Sequence, residues 1–159
     1  RRDDTAVIDP IEMLSLANSE LLELHVNKYA TMVVGCLDFE THQLHYSVAG
    51  HLPKPVLMTA GKSQYLAGEG MPVGLTPEAT YQLETIVLPE TFMLVLMSDG
   101  VLETIDEVDL IEREKTLLSR ISGSLEKPGD LIRRLSLGDV TSDDLTDDIA
   151  GLFISRGVG

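Results

Sequence analysis

The sequence has no tryptophan, and aromatic residues make up only 4% of its 159 positions. A surface that stacks nucleic-acid bases needs exposed aromatic rings, so this scarcity argues against a single-strand binder. Basic residues are also few: 12 Lys and Arg stand against 26 Asp and Glu, which gives a net charge of −14. Because nucleic-acid binding relies on clustered Lys and Arg, we predict no nucleic-acid partner. The charge favours basic protein partners instead.

The single cysteine, Cys36, has no second cysteine with which to form an internal disulfide. It lies in the apolar segment Met32 to Leu37 and no motif surrounds it, so we interpret it as a buried hydrophobic residue in a reducing compartment. No apolar run approaches the roughly 18 residues that a membrane-spanning helix needs. These absences predict a cytoplasmic protein with no membrane partner.

The overall composition of the sequence is typical of a folded domain. Hydrophobic residues form 43% of the chain and charged residues 24%, which is typical of one globular domain. Asp9, Pro10 and Glu12 are typical of a helix start. Apolar residues then recur at spacings of three and four, so the pattern predicts a helix from Pro10 to about Leu24.

Apolar runs separated by turn residues predict strands in most of the remaining chain. They cover Thr31 to Leu37, Gln43 to Val48, Pro55 to Thr59, Tyr81 to Leu88, Phe92 to Met97 and Ile149 to Ile154. The run Phe92 to Met97 is apolar at every position, which predicts a strand buried on both faces. Two further helices are predicted, over Glu107 to Ile121 and Asp130 to Leu137. The chain is therefore predicted to be α+β.

Five aspartates lie between Gly138 and Asp148, directly before the last predicted strand. Such a run has two interpretations, a solvated acidic loop or a site for a hard cation such as Mg²⁺ or Mn²⁺. Asp99 is a second candidate, because it ends the most apolar strand and precedes Gly100. It could instead cap the turn that follows, which is a common use of Asp-Gly. Asp99 can meet Asp147 or Asp148 only if their strands are neighbours.

Five motifs follow one another in an order that is specific to a known family. They are Leu37-Asp38, Leu44 to Pro53, Met71 to Leu75, Ser98 to Glu103 and Asp147-Asp148-Ile149. In this order they resemble the SpoIIE/RsbU branch of the PPM-type (protein phosphatase 2C-like) serine/threonine phosphatases. Among these, the chain is most similar to the C-terminal output domain of RssB-type response regulators.

The resemblance implies a four-layer α/β/β/α sandwich with two Mn²⁺ or Mg²⁺ ions at one end of the sheets. It implies that Asp99 and Asp147 are the catalytic metal ligands, with Asp148, Gly100 and His51 in an outer shell. For His51 a purely structural role in an Ala-Gly-His turn stays open. The two cations would activate a water for attack on phosphorus, so no covalent phosphoenzyme is needed.

One pair of motifs that the family carries does not occur in this sequence. Enzymes of the family carry a Gly-Asp strand and a Gly-His-Gly-like turn near the start of the domain, which supply the bridging carboxylate. We therefore expect residues 1–159 to form a single PPM-type domain that is incomplete at its N-terminal side. By itself it should bind metal weakly and show little activity. Its first helix would be partly exposed, which favours a homodimer.

Two functions remain open at this stage. The first is a phosphatase that acts on a phosphorylated anti-sigma-factor antagonist in bacterial stress signalling, downstream of an N-terminal receiver domain. The second is a non-catalytic signalling domain that binds a sigma-factor regulator through its acidic surface. The retained Asp99 and Asp147 favour the first, because a scaffold has no physical need for two carboxylates at strand ends.

Overall fold

The computed structural model describes residues 9–123, 125, 127–135 and 148–158. These residues contain both helices and strands, which confirms the predicted α+β class. In chain order they are α1 (Pro10–Glu23), β1 (Met32–Leu37), β2 (Gln43–Ala49), β3 (Val56–Thr59), β4 (Lys62–Tyr65), β5 (Glu84–Val87), β6 (Phe92–Met97), α2 (Gly100–Glu103), α3 (Leu110–Ile121), α4 (Pro128–Arg134) and β7 (Gly151–Arg156). Among the described residues, no helix is both long and apolar enough to cross a membrane.

The chain divides into two compact units. One contains the residues up to His51 together with Ala67–Leu88, and the other contains Leu52–Leu66 together with the residues from Pro89 onward. The first holds a three-stranded antiparallel sheet in the order β1-β2-β5, and the second a four-stranded antiparallel sheet in the order β4-β3-β6-β7.

In the first unit, α1 packs on β1 and β2. The predicted helix start is confirmed: the Asp9 carboxylate accepts a hydrogen bond from the Ile11 amide at 2.8 Å, and Pro10 is the first helical residue. The apolar face of α1 is buried at Leu14, which belongs to a core cluster with Ala49, Val73 and Tyr81. This burial fixes the helix on its sheet.

In the second unit, β6 lies between β3 and β7, and five of its six residues are buried. The predicted strand buried on both faces is therefore confirmed. Met93, Val95 and Met97 of β6 pack in one core cluster with residues of α2, α3 and α4, including Leu102, Ile121 and Leu131. This cluster anchors the carboxyl end of β6, where the acidic motif begins.

The structure departs from the predicted elements in several places. Strand β4 was not predicted, because it is short and polar, and it is held by pairing with β3. Helix α3 begins at Leu110 and not Glu107, since the Asp109 carboxylate caps it by accepting from the amides of Ile111 and Glu112. Cys36 is half-buried and not fully buried as predicted. The predicted acidic loop before Asp148 lies outside the described residues.

Asn18 on α1 holds the loop that carries the Met71 to Leu75 motif. It is 5% exposed, its Nδ2 donates to the Thr76 carbonyl at 3.1 Å, and its Oδ1 accepts from the Gly74 amide at 2.7 Å. Gly74 has φ +81°, and a Cβ there would lie 2.5 Å from Leu21 Cδ2. The motif is therefore a loop fitted closely against α1, which its Gly and Pro residues allow.

We expect Asn18→Ala to lower the free energy of unfolding by about 2–3 kcal/mol, because it leaves the Gly74 amide and the Thr76 carbonyl without their side-chain partner. The neighbouring Ser19 is exposed, and Ser19→Ala should change stability by less than about 0.5 kcal/mol. Urea unfolding of both variants measures the difference. Equal stabilities of the two variants would show that Asn18 does not hold the loop.

Tyr46 makes the first unit sensitive to alkaline pH. It is 1% exposed and its hydroxyl donates to the Ala67 carbonyl at 3.0 Å. Burial, and to a smaller extent the Glu84 carboxylate, raise the pKa of Tyr46 from 10.0 to about 12. Because the folded-state pKa is raised, its stabilising effect is complete below pH 10 and is lost as the pH rises towards 12.

We expect Tyr46→Phe to lose about 1 kcal/mol of stability at neutral pH, where the hydrogen bond is intact. The variant should also lose less further stability than the wild type as the pH is raised above 10, because it has no hydroxyl to ionise there. Denaturant unfolding across this range measures both effects. Tyr29, which is 62% exposed, provides the control Tyr29→Phe, which should follow the wild-type curve. A parallel alkaline loss in wild type and Tyr46→Phe would contradict the assignment.

Candidate functional site

Two acidic residues lie on adjoining backbone segments at one end of the four-stranded sheet. Strands β6 and β7 are antiparallel neighbours, with Met97 opposite Gly151. The carboxyl end of β6 therefore lies beside the start of β7, and the chain around Asp99 runs next to the chain around Asp148. The condition that the sequence left open, that the two strands be neighbours, is met.

Ser98 joins these two segments directly. Its amide donates to the Ala150 carbonyl at 2.9 Å, and its hydroxyl donates to the Asp148 carbonyl at 3.0 Å. The Ala150 amide in turn donates to Ser98 Oγ at 2.8 Å. Sequence reasoning did not single out Ser98 as a site residue, although it directly precedes Asp99.

Asp99 is exposed at the turn from β6 into α2. It occupies the position before the first residue of α2, but its side chain makes no capping hydrogen bond to that helix. The helix is instead closed through the backbone, where the Leu102 amide donates to the Asp99 carbonyl at 2.8 Å. The alternative use of Asp99 as an Asx-type cap is therefore not observed, and its carboxylate is not engaged by α2.

The other predicted site residues have different positions. Asp148 is exposed beside the start of β7, and Gly100 is buried as the first residue of α2. His51 is half-buried and belongs to the first unit, where it follows Gly50. Gly50 has φ +64°, and its amide donates to the Gly70 carbonyl at 2.7 Å. Asp147 lies outside the described residues.

The Leu37-Asp38 motif has a structural role in the turn between β1 and β2. The Asp38 carboxylate accepts from the Thr41 amide at 3.0 Å and the Glu40 amide at 2.7 Å. These hydrogen bonds, with the Thr41 bond the larger cause, hold the pKa of the Asp38 carboxyl below its usual value. Asp38 is therefore a turn-forming residue.

The carboxylates next to the end of β6 and the start of β7 are of the chemical type that binds a hard cation. Carboxylate oxygens are the ligands that Mn²⁺ and Mg²⁺ prefer, and Asp99 and Asp148 bring two exposed carboxylates to adjoining backbone segments. In the part of the chain that the structure describes, no group of three or more His, Cys, Asp or Glu residues is placed to hold a metal ion. A cation at this end of the sheet therefore stays a prediction.

Two solved structures are similar to this chain in fold. The RsbU and RsbW domains of Rv1364c from Mycobacterium tuberculosis match with a TM-score of 0.76 and 24% identity, over 98% of this chain and 44% of that one. The phosphatase domain of the cell fate determinant SpoIIE from Bacillus subtilis, presoaked with Mn, matches with a TM-score of 0.67 and 17% identity, over 96% of this chain and 67% of that one. The chain has the fold of PPM-type phosphatases, as predicted.

The family follows from the sequence comparisons. The family model described as Stage II sporulation protein E (SpoIIE) matches residues 3–157, so the chain belongs to the SpoIIE family. Protein IcfG of Synechocystis sp. (strain ATCC 27184 / PCC 6803 / Kazusa) is 24% identical over 156 residues, which are 94% of this chain. The chain spans only 24% of the length of that relative.

Proposed function

We propose that this chain is a metal-dependent phosphatase module that hydrolyses phosphoserine or phosphothreonine in a signalling protein. The observation that carries the proposal is that the Asp99 and Asp148 segments adjoin where β6 ends and β7 begins, on a PPM-type phosphatase fold. Asp99 and Asp147 are the proposed catalytic metal ligands, and Asp148 and Gly100 act around them.

Each residue has a separate task in this proposal. Asp99 would hold a cation at the end of β6, whose buried side chains fix the backbone from which the carboxylate extends. Gly100 turns the chain away into α2 directly behind it. Bound Mn²⁺ or Mg²⁺ would supply a water that is nucleophilic near neutral pH and would neutralise the phosphate oxygens.

The proposed substrate is a phosphorylated anti-sigma-factor antagonist. The motif order supports this choice, and so does the structural match to a chain that contains RsbU and RsbW domains. The net charge of −14 favours a substrate or partner with a basic docking surface. A receiver domain on the N-terminal side, a cytoplasmic location and a homodimer complete the proposal for the whole protein.

The test uses the complete protein that carries this chain. Phosphate release is measured from phosphoserine, phosphothreonine and phosphotyrosine peptides with Mn²⁺, with Mg²⁺ and with a chelator. We expect release from the first two peptides only, and none with the chelator. If neither peptide is hydrolysed with either metal while the protein still binds a sigma-factor regulator, the non-catalytic alternative replaces this proposal.

A further inference from the structure

Ser98 stands where the chain leaves β6 for α2. The register that pairs Met97 with Gly151 places Ser98 opposite Ala150, one step beyond the end of the assigned strands. In a regular antiparallel ladder such a pair exchanges two backbone hydrogen bonds. The first of these is present, from the Ser98 amide to the Ala150 carbonyl at 2.9 Å.

The second bond of the pair is made by a side chain. The Ala150 amide donates to Ser98 Oγ at 2.8 Å and not to the Ser98 carbonyl. That carbonyl has turned towards α2, where it accepts from the Val101 amide at 3.3 Å. The hydroxyl therefore replaces the backbone acceptor that the ladder loses when the chain turns at Asp99.

The same hydroxyl reaches one residue further along the second segment. It donates to the Asp148 carbonyl at 3.0 Å, so a single oxygen accepts from Ala150 and donates to Asp148. These bonds tie the backbone of Asp148–Ala150 to the residue directly before Asp99. The Ser98 side chain thus adds two hydrogen bonds to the single backbone bond that joins the segments at this position.

We propose that Ser98 is a positioning residue for the cation site: its hydroxyl holds the backbone of Asp148–Ala150, the segment that follows the proposed ligand Asp147 in the sequence, beside the proposed ligand Asp99. The inference rests on the proposed function. Residues that orient metal ligands without touching the metal typically change metal affinity by about 10–100-fold when replaced. Ser98 should have an effect of this size without contributing a ligand.

The test measures Mn²⁺ binding to this chain by the paramagnetic broadening of the amide NMR signals of Gly100, Ile149 and Ala150. Ser98→Ala should weaken the apparent affinity by about tenfold or more, while Ser98→Thr, which keeps the hydroxyl, should stay near the wild-type affinity. Ser155 lies near the other end of the β6–β7 ladder, opposite Met93, and is exposed. Ser155→Ala is therefore the matched control and should bind like the wild type.

The outcomes separate this inference from the proposed function. If the wild type shows broadening and Ser98→Ala shows it at the same Mn²⁺ concentrations, the inference is wrong and the proposed function stands. If the wild type shows none, the inference is wrong, and phosphate release by the complete protein decides the proposed function. Should Ser98→Ala fail to fold, Ser98→Cys decides, because it keeps the side-chain volume but is a weak hydrogen-bonding group. Wild-type affinity in a folded Ser98→Cys would equally overturn the inference.

Discussion

Asp99→Asn is expected to reduce Mn²⁺-dependent phosphate release by the complete protein at least about 100-fold. The substitution removes one carboxylate charge from the proposed cation site and leaves the side-chain shape unchanged. A bound cation contributes several kcal/mol of transition-state charge stabilisation, and about 3 kcal/mol corresponds to this factor. Phosphate release from a phosphoserine peptide at saturating Mn²⁺ measures the effect.

Stability should hardly change in this variant. The Asp99 side chain makes no capping bond to α2, so its replacement should alter the free energy of unfolding by less than about 0.5 kcal/mol. Asp106 is exposed just beyond α2, and Asp106→Asn makes the same change in net charge. That control should retain activity. Equal losses in the two variants would indicate a general charge effect, and full activity in Asp99→Asn would show that Asp99 is not a metal ligand.

Gly70→Ala is expected to lower the free energy of unfolding by about 3 kcal/mol or more. A Cβ at Gly70 would lie 2.4 Å from the Val48 carbonyl oxygen, which is a backbone atom and cannot rotate away. The segment is also tied on both sides, because the Gly70 carbonyl accepts from the Gly50 amide at 2.7 Å and Gly70 pairs with Tyr81. Thermal unfolding should show a decrease of roughly 10 °C.

Substitutions at two other glycines distinguish a steric clash of the added Cβ from backbone strain as the cause of this loss. Gly61 has φ +77° but no atom within 4 Å of an added Cβ, so Gly61→Ala should cost only about 1–2 kcal/mol of backbone strain. Gly129 has neither feature, and Gly129→Ala in α4 should be neutral or stabilising by up to about 1 kcal/mol. A Gly70→Ala variant no less stable than Gly61→Ala would show that β2 can shift to accommodate the methyl group.

The elements predicted best from the sequence were those with a local cause. Helix α1 was predicted from Asp9 and Pro10, whose capping and backbone effects act within one turn. Strand β6 was predicted because burial on both faces leaves an uninterrupted apolar run. Strand β4 and helix α2 were missed, since β4 depends on pairing with β3 and α2 is a single turn packed into a core cluster.

The sequence by itself determined the α+β class, the ends of α1 and β6, the family resemblance and the choice of Asp99 and Asp147 as candidate metal ligands, with Asp148 as an outer-shell candidate. Only the tertiary structure decided that the segments of Asp99 and Asp148 adjoin, because the pairing of β6 with β7 joins parts of the chain that are far apart in sequence. It also revealed Ser98, whose hydroxyl bonds to a residue 50 positions away. The sequence shows which side chains can bind a cation or form hydrogen bonds. A contact between residues so far apart in the chain depends on the register between strands, and no local sequence pattern determines that register.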